Sequence, residues 1–138
     1  MTPQTLVSSG SYLEPEIGFS RAVRVGNQIA VAGTAPIASG GGTAAPGDVY
    51  GQTLRCLEII AKAITDAGGS IGDVTRTRMM LTDISTWRGA ARAHGVYFAA
   101  IRPACTFVEV SGFIDPAWLI EVEADAIIGQ GWVSPARP

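Results

Sequence analysis

The side chains best suited to chemistry lie near the end of the chain, in the stretch RPACTFVEVSGFIDPAWLIEVEADAII at residues 102–128. Polar and apolar residues alternate with a period of two in both halves, which predicts two strands joined by a turn. A carboxylate can orient or activate a water molecule and a thiol can act as a nucleophile, and this stretch carries several carboxylates together with Cys105. We therefore expect any reaction centre to lie on this pair of strands.

The same alternation divides the two strands between two faces of a sheet. The face suited to packing against helices receives Thr106, Val108, Val110, Ile120, Val122, Ala124 and Ala126. The opposite face receives Cys105, Phe107, Glu109, Glu121, Glu123 and Asp125. This second face therefore carries the groups that could react, together with one large aromatic ring.

Two helices and a further strand are predicted before this stretch. Asp48 is a suitable N-cap for a helix over residues 49–67, whose apolar residues recur at helical spacing. Alternation over residues 74–82 predicts a strand that carries Arg76 and Arg78 opposite its core side. Ser85 is then expected to cap a second helix that reaches residue 100.

The first third of the chain predicts a β-hairpin over residues 20–35. Two β-branched runs flank Gly26-Asn27, a dipeptide that supplies positive φ in a tight turn. Residues 1–18 are interpreted as a lead-in segment because Pro3 and Pro15 disfavour regular pairing, and residues 129–138 as a tail. Regular structure is thus expected to begin near Phe19.

The predicted order β-β-α-β-α-β-β describes a single domain over residues 1–138. Both helices cover one face of a mixed sheet, which is a two-layer α+β fold. The other face, with acids, arginines and Phe107, would be covered most simply by copies of itself in a closed homo-oligomer. The alternative is a solvated sheet face, as many antiparallel sheets have.

Composition excludes several classes of function. The net charge is −2 with no run of like charges, so the chain lacks the basic surface of a nucleic-acid-binding protein. No apolar stretch is long enough for a membrane span and the start lacks a signal-peptide pattern, which favours a cytoplasmic protein. Two cysteines without a CxxC motif, and one histidine, favour neither a disulfide nor a metal site, and no cofactor is expected.

Three features that could be functional are better explained by structural roles. Cys56 belongs to the apolar stripe of the first helix, which favours a small buried hydrophobe over a reactive thiol. His94 lies on the apolar side of the second helix, so a hydrogen-bonded core histidine is favoured over a catalytic one. The glycines at 40–42 lack the flanking residues of a phosphate-binding motif, so a flexible surface loop is expected.

Four segments together resemble the YjgF/RidA family, formerly labelled L-PSP endoribonuclease. They are AVRVGNQIAVAGTAP, GDVYGQTLRCLEIIAKAITDAGGSIGDVTRTRMMLTDI, RPACTFVEV and LIEVEADAII, in family order across residues 17 to 128. The resemblance implies a chorismate-mutase-like α+β fold. It also implies a homotrimer whose sheets form an inner barrel, with small-molecule clefts between subunits.

The resemblance also identifies candidate site residues. In family members that deaminate enamines and imines, a glutamate of the last strand helps to position the attacking water, and Glu121 matches it. Their arginine that grips the substrate carboxylate follows a Pro-Ala pair, and Cys105 follows Ala104 at that position. A thiol cannot make the bidentate bond of a guanidinium, a loss of about 1.5–3 kcal/mol of binding.

Other positions of the implied cleft depart from the family pattern in the same direction. The usual tyrosine is Phe19, the serine before Gly33 is Ala32, and the asparagine of the second helix is Ala91. Each change removes hydrogen-bonding capacity, and Phe107 adds a further apolar wall. Arg102 could replace the missing cation if Pro103 distorted the strand by one residue; otherwise it points to the opposite face from Cys105.

Three hypotheses about function remain open at this point. The first is a variant deaminase or hydrolase that acts on a small imine, enamine or carbonyl compound through Glu121. The second is an activity centred on Cys105, against which the neighbouring carboxylates argue, because a thiolate nucleophile needs a nearby cation. The third is a non-catalytic trimer that binds a small, weakly polar metabolite or a protein partner in the cleft.

Overall fold

A six-stranded mixed sheet forms the centre of residues 4–129, the part of the chain that the computed structural model describes. The strands are β1 Gln4–Val7, β2 Ala22–Val25, β3 Gln28–Thr34, β4 Val74–Leu81, β5 Ala104–Glu109 and β6 Ile120–Ile127. Their order is β1-β2-β3-β6-β4-β5, and only β4 and β5 pair in parallel. The predicted tail lies outside the described residues from residue 130 onward.

The helices are α1 Leu13–Ile17, α2 Val49–Asp66 and α3 Trp87–Phe98. The predicted cap of α2 is confirmed, since the Asp48 carboxylate accepts the Tyr50 N–H. The helix buries Cys56 and Leu57, neither of which has exposed surface, against the sheet. The prediction that Cys56 is a small buried hydrophobe is therefore confirmed, and the α+β arrangement is as predicted.

The N-terminal segment is more ordered than predicted. The expectation that regular structure begins near Phe19 is wrong, because β1 pairs antiparallel with β2 and α1 follows it. Neither proline prevents this. Pro3 precedes an edge strand, and Pro15 occupies the first turn of α1, where the backbone N–H groups have no partner within the helix.

The start of α3 also differs from the prediction that Ser85 caps it. A 3-10 turn over Ile84–Thr86 comes first, and α3 begins at Trp87. Asp83 caps this 3-10 turn, since its carboxylate accepts hydrogen bonds from the N–H and the hydroxyl of Ser85 at 3.0 and 2.7 Å, whereas Thr86 before α3 makes no side-chain capping bond. The sequence does contain this capping residue, since Asp83 is a preferred N-cap type and lies two residues before Ser85.

The faces predicted for β6 are confirmed, whereas those predicted for β5 are inverted. Ile120, Val122, Ala124 and Ala126 of β6 are buried under the helices. In β5, Cys105 is opposite Thr77 and Phe107 is opposite Met79, and both of these β4 residues are fully buried on the helix side.

Cys105, Phe107 and Glu109 therefore lie on the helix side of the sheet, because residues paired across a ladder share a face. Thr106 and Val108 lie on the face away from α2 and α3, which we call the open face. The strand has apolar residues in both alternating sets, so its pattern left the register undetermined. Phe107 packs edge-to-face on Trp87 of α3, with ring centroids 6.3 Å apart.

A buried glutamine joins α2 to the loop that leads into β6. The Gln52 side chain has no exposed surface, donates to the Ala117 carbonyl at 3.1 Å and accepts the Leu119 N–H at 2.8 Å. These two bonds satisfy backbone groups that would otherwise lack a partner in the interior. Gln52 thus holds the approach to Ile120 and Glu121.

Replacement of Gln52 should destabilise the fold. We expect Gln52→Ala to lower the free energy of unfolding in urea by roughly 1–3 kcal/mol, because the Leu119 N–H and the Ala117 carbonyl lose their partner. The control Gln28→Ala removes an exposed amide and should change the free energy by less than about 0.5 kcal/mol. Equal effects of the two substitutions would contradict this role of Gln52.

Candidate functional site

A cavity of about 310 Å³ lies between α1, β3 and the start of β6. Four residues that the sequence singled out line it together: Phe19, Ala32, Gly33 and Glu121. Its other walls include Arg21, Trp118, Ile17 and Ile114. The cavity is thus mainly apolar, with one acid and one base in its lining, and we refer to it as the Glu121 cavity.

Gly33 allows Glu121 to lie close to the backbone of β3. A Cβ atom at this position would be 3.0 Å from Oε1 of Glu121, tighter than nearly all such contacts. The pairing of β3 with β6 is also irregular between Val31 and Thr34. A side chain larger than hydrogen at residue 33 would therefore displace the carboxyl group.

Arg21 is the residue of this site that the sequence analysis missed. Its side chain is only 4% exposed. Nη1 donates to the Gly33 carbonyl at 2.7 Å and to Oγ1 of Thr34 at 3.2 Å, and Nε donates to Oγ of Ser9 at 3.1 Å. The guanidinium carbon also lies 5.2 Å from the centre of the Phe19 ring.

The sequence contained one indirect signal for Arg21, a cation within an otherwise apolar β-hairpin run. The other arginine of that run, Arg24, bonds the carbonyl oxygens of Gly26 and Ala67 instead. Nothing in the spacing of the two arginines distinguishes their surroundings. The fold places Arg21, and not Arg24, near Glu121.

The surroundings of Glu121 favour its protonated form. Burial raises the pKa of its carboxyl above the ordinary value, Arg21 opposes this shift, and Glu123 adds to it. Burial also lowers the pKa of the Arg21 guanidinium, which Glu14 and Glu121 partly offset. A carboxyl group whose pKa is shifted toward neutrality can both accept and donate a proton, as a general acid–base catalyst must.

Five residues predicted for the site lie away from this cavity in the single chain. They are Ala91, Arg102, Ala104, Cys105 and Phe107. Ala91 is on α3, and the residues of β5 are separated from β6 by β4. Cys105 is an exposed free thiol on an edge strand.

Arg102 occupies a turn in which the chain adopts a left-handed conformation. Its φ is 59°, which is uncommon for a residue with a Cβ atom, and its N–H bonds the Phe98 carbonyl at 2.8 Å. Because β5 begins only at Ala104, the strand is not regular through Pro103. Arg102 thus precedes the strand, and it does not line the Glu121 cavity of the same chain.

His94 contacts the core, as the sequence indicated. Its Nε2 lies 2.8 Å from Oγ1 of the buried Thr77, and its ring packs on Phe98 with centroids 4.6 Å apart. Burial lowers the pKa of His94, which favours the neutral ring. Within residues 4–129, no group of three or more His, Cys, Asp or Glu side chains could hold a metal ion.

Ion pairs run across the strands on the open face. Arg76 lies 3.9 Å from Asp125, and Arg78 lies 3.6 Å from Glu123 and 3.7 Å from Asp125. These side chains are about half exposed in the single chain. The exposed apolar side chains Leu6, Val25 and Val108 accompany them on the sheet.

The family model described as Endoribonuclease L-PSP matches residues 10–128. The chain belongs to this family, the YjgF/RidA family. It is 38% identical over 123 residues to an uncharacterized protein of Streptomyces coelicolor, covering 89% of this chain and 91% of that protein. It is also 37% identical over 108 residues to a RutC family protein of Pyrococcus abyssi, covering 78% and 84%. The resemblance inferred from the sequence is thus confirmed.

Solved structures of the YjgF/RidA family share the fold. A YjgF/YER057c/UK114 family member from Mycobacterium tuberculosis superposes with a TM-score of 0.83 at 42% identity, covering 91% of this chain and all of that one. The Escherichia coli YjgF protein superposes with a TM-score of 0.73 at 25% identity, covering 89% and 92%. The predicted chorismate-mutase-like α+β fold is confirmed. None of the helices within residues 4–129 is long and apolar enough to cross a membrane.

The raised pKa of Glu121 predicts how stability changes with pH. The folded chain binds the carboxyl proton of Glu121 more tightly than the unfolded chain does. The resulting stabilisation is complete below the ordinary pKa of 4.5 and is lost as the pH rises through the folded-state pKa. Glu121→Gln should therefore increase the free energy of unfolding, relative to wild type, more at about pH 7 than at about pH 4. Urea unfolding at both pH values measures this, and an equal difference at both would contradict the shift.

Proposed function

We propose that the Glu121 cavity binds a small imine, enamine or related carbonyl compound and that Glu121 assists its hydrolysis. The observation that supports this is the position of Glu121, a carboxyl group with a raised pKa in an apolar cavity beside a buried arginine. Membership of the YjgF/RidA family adds support, because its deaminases have a glutamate at the matching position.

The proposed reaction needs one water molecule and one proton carrier. Glu121 would accept a proton from water as the oxygen attacks the imine carbon, and would return it to the substrate nitrogen. The resulting carbinolamine loses ammonia and leaves a carbonyl product. Protons balance within the cycle because the carboxyl group ends in the state in which it began.

The walls of the cavity suggest the polarity of the substrate. Phe19, Ala32 and Trp118 offer apolar contacts, and Cys105 stands where other members carry a carboxylate-binding arginine. A weakly polar substrate without a free carboxylate suits this lining better than an imino acid does. A reaction centred on Cys105 is not proposed, because its exposed thiol has no hydrogen-bond or ionic partner among the described residues that would activate it.

The role of Glu121 can be tested by replacing Glu121 and, as a control, the neighbouring acid Glu123. We expect the purified protein to accelerate ammonia release from freshly generated imines, with neutral imines preferred over 2-aminoacrylate. Glu121→Gln should lower kcat/KM by roughly a hundredfold or more, because general acid–base catalysis contributes about that factor. The measurement is coupled ammonia detection at matched protein concentrations.

Glu123→Gln is the matched control. Glu123 is on the same strand and face but outside the Glu121 cavity, where it pairs with Arg78. It makes the smallest of the contributions to the Glu121 pKa, after burial and Arg21, so its loss should leave the rate within about threefold. Equal losses in the two variants would overturn the proposal. Absence of turnover, together with a molecule recovered chemically unchanged from the protein by mass spectrometry, would favour the second candidate, a binding protein.

We further propose that the protein is a homotrimer with its ligand cleft between subunits. The open face supports this, because half-exposed ion pairs and exposed Leu6, Val25 and Val108 suit a surface covered by further copies of the sheet. The separation of β5 from the Glu121 cavity adds support. A neighbouring subunit would bring Cys105 and Ala104 toward the cleft that they leave incomplete in one chain.

Native mass spectrometry tests the assembly. The wild-type protein should have three times the mass of one chain. Arg78→Glu should reduce it to monomers, because three carboxylates would then meet on the open face. Arg88→Glu makes the same charge change on α3, where Arg88 lies over the Trp87 ring, and should leave the trimer intact. A monomeric wild type would disprove the assembly.

A further inference from the structure

A second cavity adjoins the Glu121 cavity, and the two share Ser11, Arg21, Ala35 and Ile37 in their linings. Its volume is about 430 Å³, which is larger than that of the Glu121 cavity. Three segments enclose it: residues 9–12, residues 37–41 and one face of α2. None of the family positions that the sequence analysis assigned to the ligand cleft lines it.

The charged residues that line this second cavity are all basic. Arg21 and Arg55 line it, and no aspartate or glutamate does among the described residues. The nearby Glu14 lies outside this lining, and one of its carboxylate oxygens accepts the N–H groups of Ser9 and Ser11 and the Ser9 hydroxyl. A bound anion would therefore meet two cations without a carboxylate in the wall.

Both arginines are held rigidly and retain donors. Nε of Arg55 donates to the Ile37 carbonyl at 2.6 Å, and its Nη1 pairs with Glu58. Arg21 is held through Nε and Nη1 by Ser9, Gly33 and Thr34. Within residues 4–129, Nη2 of neither arginine has a hydrogen-bond partner. A guanidinium fixed by two of its nitrogens can offer the third to an oxyanion at little further entropic cost.

The glycine loop forms the mouth of the cavity. Gly40 and Gly41 adopt left-handed conformations, with φ of 87° and 102°, which residues with a Cβ atom rarely adopt. Their lack of side chains leaves the backbone open to close approach. Ser39 beside them is exposed, and its hydroxyl has no hydrogen-bond partner in the described part of the chain.

We propose that this cavity is a second ligand site, which binds a small metabolite through an oxyanion group, a carboxylate or a phosphate. The Nη2 groups of Arg21 and Arg55 bind the anion, and Ser39 with the glycine loop closes over it. The volume accommodates a compound larger than the oxyanion itself. Binding at this site does not require turnover at Glu121.

The test is an NMR titration of the ¹⁵N-labelled protein with inorganic phosphate and, separately, with succinate. We expect saturable shifts at the amides of Ser39, Gly40 and Gly41. Ser39→Asp adds a negative charge at the mouth and should weaken binding at least about tenfold, whereas the similarly sized neutral Ser39→Asn should change it little. Ser39 makes no side-chain contact that folding needs, so both variants keep the fold. The probe that binds more tightly identifies the oxyanion.

A second pair of variants tests the cation. Arg55→Gln should weaken binding at least about tenfold, because it removes a charge-assisted donor. Lys62→Gln removes a positive charge from the same helix, where Lys62 pairs with Asp66 outside the cavity, and should leave the affinity unchanged. Linear, non-saturating shifts with both probes, or equal affinities of Ser39→Asp and Ser39→Asn, would overturn the proposal.

Discussion

The buried guanidinium of Arg21 joins the parts of the molecule that form both cavities. Removing a guanidinium from water is costly unless most of its donors are paired, and Nε and Nη1 of Arg21 bond Ser9, Gly33 and Thr34 while the Phe19 ring lies beside it. Ser9 belongs to the N-terminal segment, Gly33 and Thr34 to β3, and Phe19 to the segment before β2. The positions of these segments relative to one another depend on that shared cation.

The same cation sets the electrostatics of Glu121. Burial alone would make the carboxylate form unfavourable, and Arg21 opposes that effect without forming a direct ion pair within the described residues. The result is an acid whose pKa is raised while its charged form remains accessible. A carboxyl group in this state suits proton transfer better than one fully solvated or fully neutralised. Arg21 would act on Glu121 as a positioning and tuning residue rather than as a catalytic one.

The edge of the sheet imposes a different constraint. β5 pairs with β4 on one side, and within residues 4–129 no strand pairs with its other side. It begins two residues after Arg102, where the backbone takes a left-handed conformation, and its register is that of its pairing with β4. Residues that the family pattern associates with the cleft therefore lie far from Glu121 in one chain. A cleft shared between subunits reconciles the family pattern with this geometry.

Local patterns in the sequence determined most elements. The Gly26-Asn27 turn, the Asp48 cap and the alternation of β6 each rest on chemistry within a few residues, so the hairpin, α2 and the last strand were predictable. β1 was not, because only Val7 of its four residues is buried and an edge strand carries a weak apolar pattern. The family resemblance likewise predicted that Phe19, Ala32, Gly33 and Glu121 belong to one site.

Tertiary structure alone decided which face of β5 meets the helices and which arginine is buried. Both depend on groups distant in the chain: β4 for the register of β5, and Ser9 with Gly33 for Arg21. Apolar residues occupy both alternating sets of β5, so burial could stabilise either register as judged from the strand alone. Arg21 and Arg24 are similarly alike in sequence, because the hydrogen bonds that permit burial of a cation form only after the segments have packed.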